Sequence, residues 1–538
     1  MSNMNILDCT LRDGGYVNNW RFGNERMKAI FDNLTNAGID YIEIGFLDER
    51  EVYDENRSIQ PNTQCYDEIY KGCKKKQSLV FAMIDYGTCG IDNIGLCEDS
   101  FIDGIRVIFK KPNAQKAVAF AKELMDKGYK VCLQMVSITS YSDSDVLEFA
   151  EKVNQLNPFA VSIVDTYGLL HAKDVKHYFE LLNHNLNEEI VLGYHAHNNF
   201  QLAYANTIEI AQEKVKRNLI VDATIYGMGK SAGNAPLELV VMYYNREFGE
   251  RYDINPILEA IDIHILKIYS KKYWGYNLQF YLSASNDCHP RYVEYLLEKK
   301  TVTVKDINLI IGLIPEPNKL DYNEKIIEQL YLEYQNNARG EYKDETTEFF
   351  GEISKRKLLL LGPGKTVLTH QEKIHAYIEQ EKPIVIAVNF CPKHIKCDYI
   401  CISNAKRYDM IVYEYQQKAD NTKLVVTNNV LKHKNEYDYV LSYHKLLDDN
   451  ENICDNALIM MLNGMADHGI KEVMLAGFDG FSEKGISSYY SEYLELSDDY
   501  QRLIKINKSI KERIQVLEKP IKIDFLTPSL YREEDEPI

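Results

Sequence analysis

Residues 130–165, KVCLQMVSITSYSDSDVLEFAEKVNQLNPFAVSIVD, hold the pattern that decides the fold. They contain a β-branched and apolar run (Lys130–Ile138), a segment of helical periodicity (Asp143–Leu156) and a second apolar run (Ala160–Asp165). Short runs of Val and Ile bounded by polar turn residues suit strands, whereas apolar residues recurring every three or four positions suit a helix with one buried face. Outward from this stretch the same alternation extends from Asn5 to about Gly229. The further strand candidates are Asn5–Thr10, Tyr41–Phe46, Leu79–Asp85, Gly104–Lys110, Ile190–His197 and Leu219–Tyr226, and Ala114–Lys127 is another helical stretch. Eight strand–helix units in succession predict an α/β chain that opens with a (β/α)8 TIM barrel over residues 1–250.

The chain has 538 residues, long against a prior of roughly 150 per domain, so more than one core is expected. Pro256 to Tyr334 is rich in Leu, Ile, Tyr, Lys and Glu at helical spacing, which predicts a helical extension over 251–345. Glu341–Ser354 is charged and reads as a linker. A second alternation follows, with Leu358–Leu361, Ile384–Asn389, Asp398–Ile402, Leu424–Thr427 and Glu472–Phe478 as strands, and predicts a separate Rossmann-like α/β domain over 350–538. The acidic tail Arg532–Glu536 reads as a frayed end.

Asp and Glu number 80 against 62 Lys and Arg, a net charge of −18 that disfavours a nucleic-acid or anionic-lipid partner. The longest apolar runs are far short of the roughly 20 residues that span a bilayer. Met1–Asp8 lacks the features of a signal peptide, so a cytoplasmic protein is expected. The 11 cysteines have no paired short spacings, and those in apolar runs, such as Cys132 and Cys401, read as buried free thiols.

The most informative motif is Gly193-Tyr194-His195-Ala196-His197-Asn198-Asn199, at the end of the seventh strand. Alternate residues of a strand share a face, so both imidazoles point into one space, the barrel mouth where such folds place their active sites. Asp8-Cys9-Thr10-Leu11-Arg12-Asp13-Gly14-Gly15 ends the first strand, near the seventh in a closed barrel. Asp13 would there complete a two-His, one-carboxylate set suited to Mn²⁺, Mg²⁺, Co²⁺ or Zn²⁺. A third element, Gly227-Met228-Gly229-Lys230-Ser231-Ala232-Gly233-Asn234-Ala235-Pro236, follows the eighth strand, and its glycines permit a close approach of Asn234 to the site.

Together the three motifs resemble the metal-dependent aldolase and acyl-condensing superfamily built on the pyruvate carboxyltransferase-like, HMG-CoA lyase-like barrel, most of all its 4-hydroxy-2-oxovalerate aldolase branch. The resemblance spans residues 5–240, and the segment with Trp274-Gly275-Tyr276 and His289-Pro290 looks like the aldolase's helical extension. It implies that Asp13, His195 and His197 bind a divalent metal, Mn²⁺ or Mg²⁺ first, with Asn234 close to it. Arg12 would stabilise an enolate, and Glu43 and Thr166, at strand ends, would line the pocket. The implied reaction cleaves or forms a 4-hydroxy-2-oxo acid through the enolate of pyruvate and an aldehyde. An acyl-CoA condensing or cleaving enzyme and a decayed scaffold are the alternatives. The chain departs from the branch at Tyr16, where the relatives place a histidine three residues after the metal Asp. A phenol, whose ordinary pKa is about 10, is a poor base unless the nearby cation lowers that value. Tyr276 or Tyr281 would be the tyrosine that reaches the site from the extension. A homo-oligomer is expected.

In the C-terminal part Leu358–Leu361 runs into Gly362-Pro363-Gly364-Lys365-Thr366, where backbone amides would receive phosphate. It is not a Walker A loop, which requires glycine where this chain has Leu359. With Asn389 and Gly477-Phe478-Asp479, this turn faintly resembles the Rossmann-like domains of bacterial sialyltransferases. The resemblance implies a nucleotide or nucleotide-sugar site at Gly362, Gly364, Asn389 and Asp479, and a cell-surface sugar pathway. A docking or oligomerisation domain is the plain alternative.

Overall fold

Eight parallel strands close on themselves in the N-terminal half because each is apolar enough to be buried on both sides. In the computed structural model, which describes residues 4–337, 342–416, 421–431, 437–481, 489–491 and 500–532, these are β1 Met4–Asp8, β2 Tyr41–Leu47, β3 Leu79–Asp85, β4 Gly104–Phe109, β5 Lys130–Met135, β6 Ala160–Asp165, β7 Val191–Ala196 and β8 Leu219–Ala223. Strand β1 pairs with β2 on one side and β8 on the other, with Leu7 opposite Tyr41 and Asp8 opposite Ala223. That double pairing removes both sheet edges, so this half of the chain is the expected TIM barrel. A two-residue strand, Ile59–Gln60, adds outside β2 and was not expected.

The outer helices bury an apolar stripe against the strands. In Asp143–Leu156 the stripe is Val146, Phe149, Ala150 and Val153, and Ser142 starts the helix as half of a capping box with Asp145.

The chain divides into two compact units, 1–290 and 291–538. The helices of the expected 251–345 extension therefore fall in both, with Asn255–Ala260 and Leu278–Ser285 in the first and Val304–Gly312 and Glu324–Asn336 in the second. The linker expectation for 341–354 is corrected. Thr346–Ile353 is a helix, and its Phe349, Phe350 and Ile353 are fully buried in the second unit's core. Beyond Arg532 the expected acidic tail lies outside the described residues.

The second unit holds a seven-stranded, all-parallel sheet made of β9 Leu358–Leu361, β10 Ile384–Val388, β11 Tyr399–Ile402, β12 Lys423–Thr427, β13 Tyr439–Leu441, β14 Glu472–Ala476 and β15 Lys522–Phe525. The strand order is β13-β12-β11-β10-β9-β14-β15. Alternate residues enter opposite cores. Leu358 and Leu360 pack with Phe349 and Ile514 on one face, and Leu359 and Leu361 with Ile374 and Ile411 on the other. A sheet buried on both faces needs continuous apolar strands, which is what Leu358–Leu361 supplies. The order runs outward from β9 through β10 to β13 and then returns to β14 on the other side of β9. The crevice between the carboxyl ends of β9 and β14 is thus the point where the winding reverses.

Cys9, Cys65, Cys89, Cys132 and Cys401 are buried free thiols. Among the described residues no helix is long and apolar enough to cross a membrane.

Candidate active site

Three chain segments meet at the carboxyl end of the barrel. Directly after β1 the backbone turns through a short helix, Thr10–Asp13, which places Arg12 and Asp13 over the barrel mouth. The two glycines that follow are required by the space. A Cβ on Gly14 would lie 2.4 Å from the Thr10 carbonyl, and one on Gly15 would lie 2.0 Å from the Trp20 ring. That indole donates to the Arg12 carbonyl at 2.8 Å and locks the turn.

His195 and His197, both buried, direct their Nε2 atoms at one oxygen, Asp13 Oδ2, at 3.3 and 3.2 Å. Each ring is held from behind. Nδ1 of His195 lies 2.8 Å from Asp222 Oδ2, and Nδ1 of His197 lies 3.2 Å from the Asp165 carbonyl. Such partners fix the tautomer that leaves Nε2 free as a ligand. Asn234 Nδ2 lies 3.2 Å from His195 Nε2. Its Oδ1 is buried without a hydrogen-bond partner among the described residues, whereas Oδ1 of Asp13 is ion-paired with Arg12 Nη1 at 3.2 Å. Two imidazoles, a carboxylate and an amide oxygen that lacks a donor among the described residues form a set that fits a divalent cation, since burial without a partner is costly for such an atom. Asp13, His195 and His197 have their ligand atoms within 4.8 Å of one another, as do Cys9, His195 and Asp222 behind them.

The glycine loop brings Asn234 to this point. Gly229 leaves the room its side chain fills, since a Cβ there would lie 1.8 Å from Asn234 Oδ1. Gly233, at φ +85°, would bring a Cβ to 2.0 Å from the Gly227 carbonyl. Asn199 fastens the loop by accepting from Ala232 N at 3.1 Å.

Beneath the metal set runs a buried chain of alternating charges. Arg12 Nε donates to Glu43 Oε2 at 2.7 Å, and Arg106 Nη1 donates to the same oxygen at 3.0 Å. Arg106 Nη2 also donates to Asp222 and, at 3.0 Å, to Gln134 Oε1. Two guanidiniums against the carboxylates of Asp13, Glu43 and Asp222 leave this network one negative charge, which a divalent cation reverses. Burial opposes ionisation of Asp13, yet Arg12 and His197 hold its carboxyl well below the usual range. Burial also opposes charge on His195, but the bonds to Asp13 and Asp222 raise its pKa. For His197 burial prevails and the pKa falls.

The structure places the remaining expected residues as follows. Glu43 lies between two arginines, so its observed contacts serve to position Arg12. Thr166 sits at the end of β6, where its Oγ1 accepts from Ser137 N at 2.7 Å. Tyr16 packs edge-on against Trp20 and Phe46, with the Lys230 ammonium 5.4 Å from its ring centre. Burial and the Asp13 charge push the phenol up, in line with the poor base expected of a tyrosine at this position. Tyr276 and Tyr281 are exposed. Trp274 is the residue of that segment that meets the loop, donating to the Tyr226 carbonyl at 2.9 Å. In the second unit Gly364, Asn389 and Asp479 line one cleft, whereas Gly362 faces the Gly477 carbonyl.

Sequence reading missed Arg106, Asp222 and Lys230. For the first two a signal was present, a lone charge inside an apolar strand (Ile105-Arg106-Val107 and Val221-Asp222-Ala223), which is tolerated there only when paired.

Residues 3–263 match the HMGL-like family model. The chain is 26% identical over 258 residues to the oxaloacetate decarboxylase of Mycobacterium tuberculosis, covering 47% of this chain and 74% of that protein. It is 28% identical over 255 residues to the 4-hydroxy-2-oxovalerate aldolase of Bacillus cereus, covering 46% of this chain and 72% of that protein. Among solved structures, the HMG-CoA lyase of Bacillus subtilis superposes with a TM-score of 0.40 at 16% identity, over 50% of this chain and 93% of that one.

Proposed function

From the match of residues 3–263 to the HMGL-like family model, we propose that the chain is a divalent-metal-dependent oxo-acid lyase that cleaves or forms a 4-hydroxy-2-oxo acid through the enolate of pyruvate. The observation that carries this reading is the convergence of His195 Nε2 and His197 Nε2 on Asp13 Oδ2, with Asn234 Oδ1 buried beside them and without a hydrogen-bond partner among the described residues. Asp13, His195 and His197 would hold the ion, Mn²⁺ or Mg²⁺, with Asn234 beside it. When bound, the ion supplies Lewis acidity toward the carboxylate and ketone of a 2-oxo acid.

The chain's own residues account for the rest. Arg12, fixed through Nε by Glu43 and through its carbonyl by Trp20, presents the remainder of its guanidinium where negative charge develops as the carbon–carbon bond breaks. Asp222 and the Asp165 carbonyl keep both imidazoles oriented, so no reorganisation is needed at the moment of reaction.

A second reading is favoured by Tyr16. A tyrosine stands where the resemblance places a histidine, and burial pushes its phenol up, which makes it a poor base for the 4-hydroxyl proton of an aldol cleavage. Decarboxylation of a 2-oxo diacid passes through the same enolate, releases CO₂ and requires no such base. One of the relatives above carries that name.

The test is pyruvate release by the metal-stripped protein from 4-hydroxy-2-oxo acids and from oxaloacetate, with and without added Mn²⁺ or Mg²⁺, beside His195→Ala. Metal-dependent pyruvate from the hydroxy acids, abolished in the variant, is the expected outcome. Pyruvate from oxaloacetate alone selects the second reading. No pyruvate from either substrate rejects both and turns attention to acyl-CoA chemistry or a scaffold role.

A further inference from the structure

The second unit carries a cleft of about 1110 Å³ at the carboxyl edge of its parallel sheet. It takes in Gly364 and Gly477 after β9 and β14, where the winding reverses, and Asn389 after β10. Crevices at this place in open parallel sheets are the usual ligand sites of such folds.

The polar residues that the glycine turns supply are already committed. Asp479 accepts from Thr366 N at 2.8 Å and from Thr366 Oγ1. Asn389, at φ +57°, accepts from Ser403 N at 2.9 Å and donates to Ser403 Oγ at 3.3 Å. They shape the cleft wall, and their contacts are internal.

Two other residues lining the cleft each have a buried polar atom without a hydrogen-bond partner among the described residues. Arg407 is 5% exposed, and its Nη1 has no hydrogen-bond partner among the described residues. No carboxylate among the described residues pairs with it; its guanidinium lies 5.2 Å from the centre of the Tyr489 ring and has that phenol as a side-chain hydrogen-bond partner. A buried cation whose partner among the described residues is a neutral phenol is unusual, because removing it from water is poorly repaid. It sits in the first turn of the helix Ala405–Gln416, whose N-cap Asn404 also lines the cleft and accepts from Arg407 N at 3.1 Å. The positive end of that helix and the guanidinium fork thus serve one space, a combination suited to phosphate geometry. The second is Asn336, whose Oδ1 is buried without a donor among the described residues. It requires a hydroxyl or amine.

We propose that this cleft binds a phosphorylated, hydroxyl-bearing small molecule, with the phosphate on Arg407 and the N-terminal turn of helix Ala405–Gln416, and a hydroxyl donating to Asn336. This site is independent of the barrel chemistry.

The test uses the full chain in EDTA, so that the barrel site contributes nothing. Inorganic phosphate, glucose 1-phosphate, uridine diphosphate and glucuronate are titrated by calorimetry. The phosphate-bearing probes should bind, the esters more tightly than inorganic phosphate, and glucuronate at least tenfold more weakly than glucose 1-phosphate. Arg407→Lys, which keeps the charge but loses the fork, should weaken every phosphate probe tenfold or more. Asn336→Ala should weaken the esters while leaving inorganic phosphate unchanged. A readout that needs no variant is phenylglyoxal modification of Arg407 in the wild-type chain, followed by peptide mass mapping, which glucose 1-phosphate should slow. Absence of binding by all phosphate probes, binding of glucuronate as tight as the esters, or modification of Arg407 at an unchanged rate would each overturn the proposal.

Discussion

At the scale of the single residue, the site depends on what stands behind the ligands. Asp222 touches neither the proposed ion position nor a substrate, yet it holds Nδ1 of His195 and pairs with Arg106. Asp222→Asn keeps the shape and removes the charge, and should lower Mn²⁺ affinity roughly 10- to 100-fold by titration calorimetry. An unchanged affinity would deny Asp222 its orienting role. Asp8 offers a separate test. Burial raises its carboxyl to about 7, against the bonds it accepts from Thr10. Its folded pKa lies above the unfolded value of about 3.9, so between those limits the folded state holds the extra proton and stability falls as pH rises. Below the window the group contributes no difference, and above it the cost of burying the carboxylate is fully present. Urea unfolding of Asp8→Asn should therefore gain on wild type by on the order of 4 kcal/mol between pH 4 and pH 7. A pH-independent difference would contradict this.

At the scale of the element, the glycine loop after β8 acts as a fitted part. Gly229→Ala drives a methyl into Asn234 and should weaken metal binding while leaving the far-UV circular dichroism unchanged. Wild-type affinity would show that the loop tolerates the shift. The helix Thr346–Ile353 tests another point. If Phe349 is core, as its full burial shows, Phe349→Ala should cost about 3–5 kcal/mol in the second unit, against within about 0.5 kcal/mol for a surface residue. The eight barrel strands were legible because each is a β-branched run followed by a helical period. The ligands were legible because His-x-His places two rings on one strand face. What escaped was short or masked by composition. Tyr439–Leu441 and Lys522–Phe525 are three- and four-residue edge strands, and the latter alternates charge with apolar residues as a solvated edge does. Thr346–Ile353 reads as linker in the sequence because the charges around it outweigh three apolar residues.

At the scale of the whole molecule, two units with separate cores should unfold separately. The expectation is two calorimetric transitions, of which added Mn²⁺ raises only the one belonging to residues 1–290, in proportion to the logarithm of its concentration. A single transition that moves as a whole would mean that the units unfold together. The same experiment bears on where the first domain ends. A 1–290 fragment should reproduce the metal-sensitive transition without residues 291–345, which the sequence pattern assigns to the barrel's extension.

The buried charges of Arg12, Glu43, Arg106 and Asp222 have a consequence for inheritance. Each residue is a counter-ion for a neighbour on another strand, so replacing one strands a charge in the interior. Neutral drift at these positions is therefore blocked one step at a time, and a descendant that changes its chemistry must do so through paired, mutually rescuing substitutions. The barrel's catalytic floor evolves as a block, while the surface around it is free to vary residue by residue.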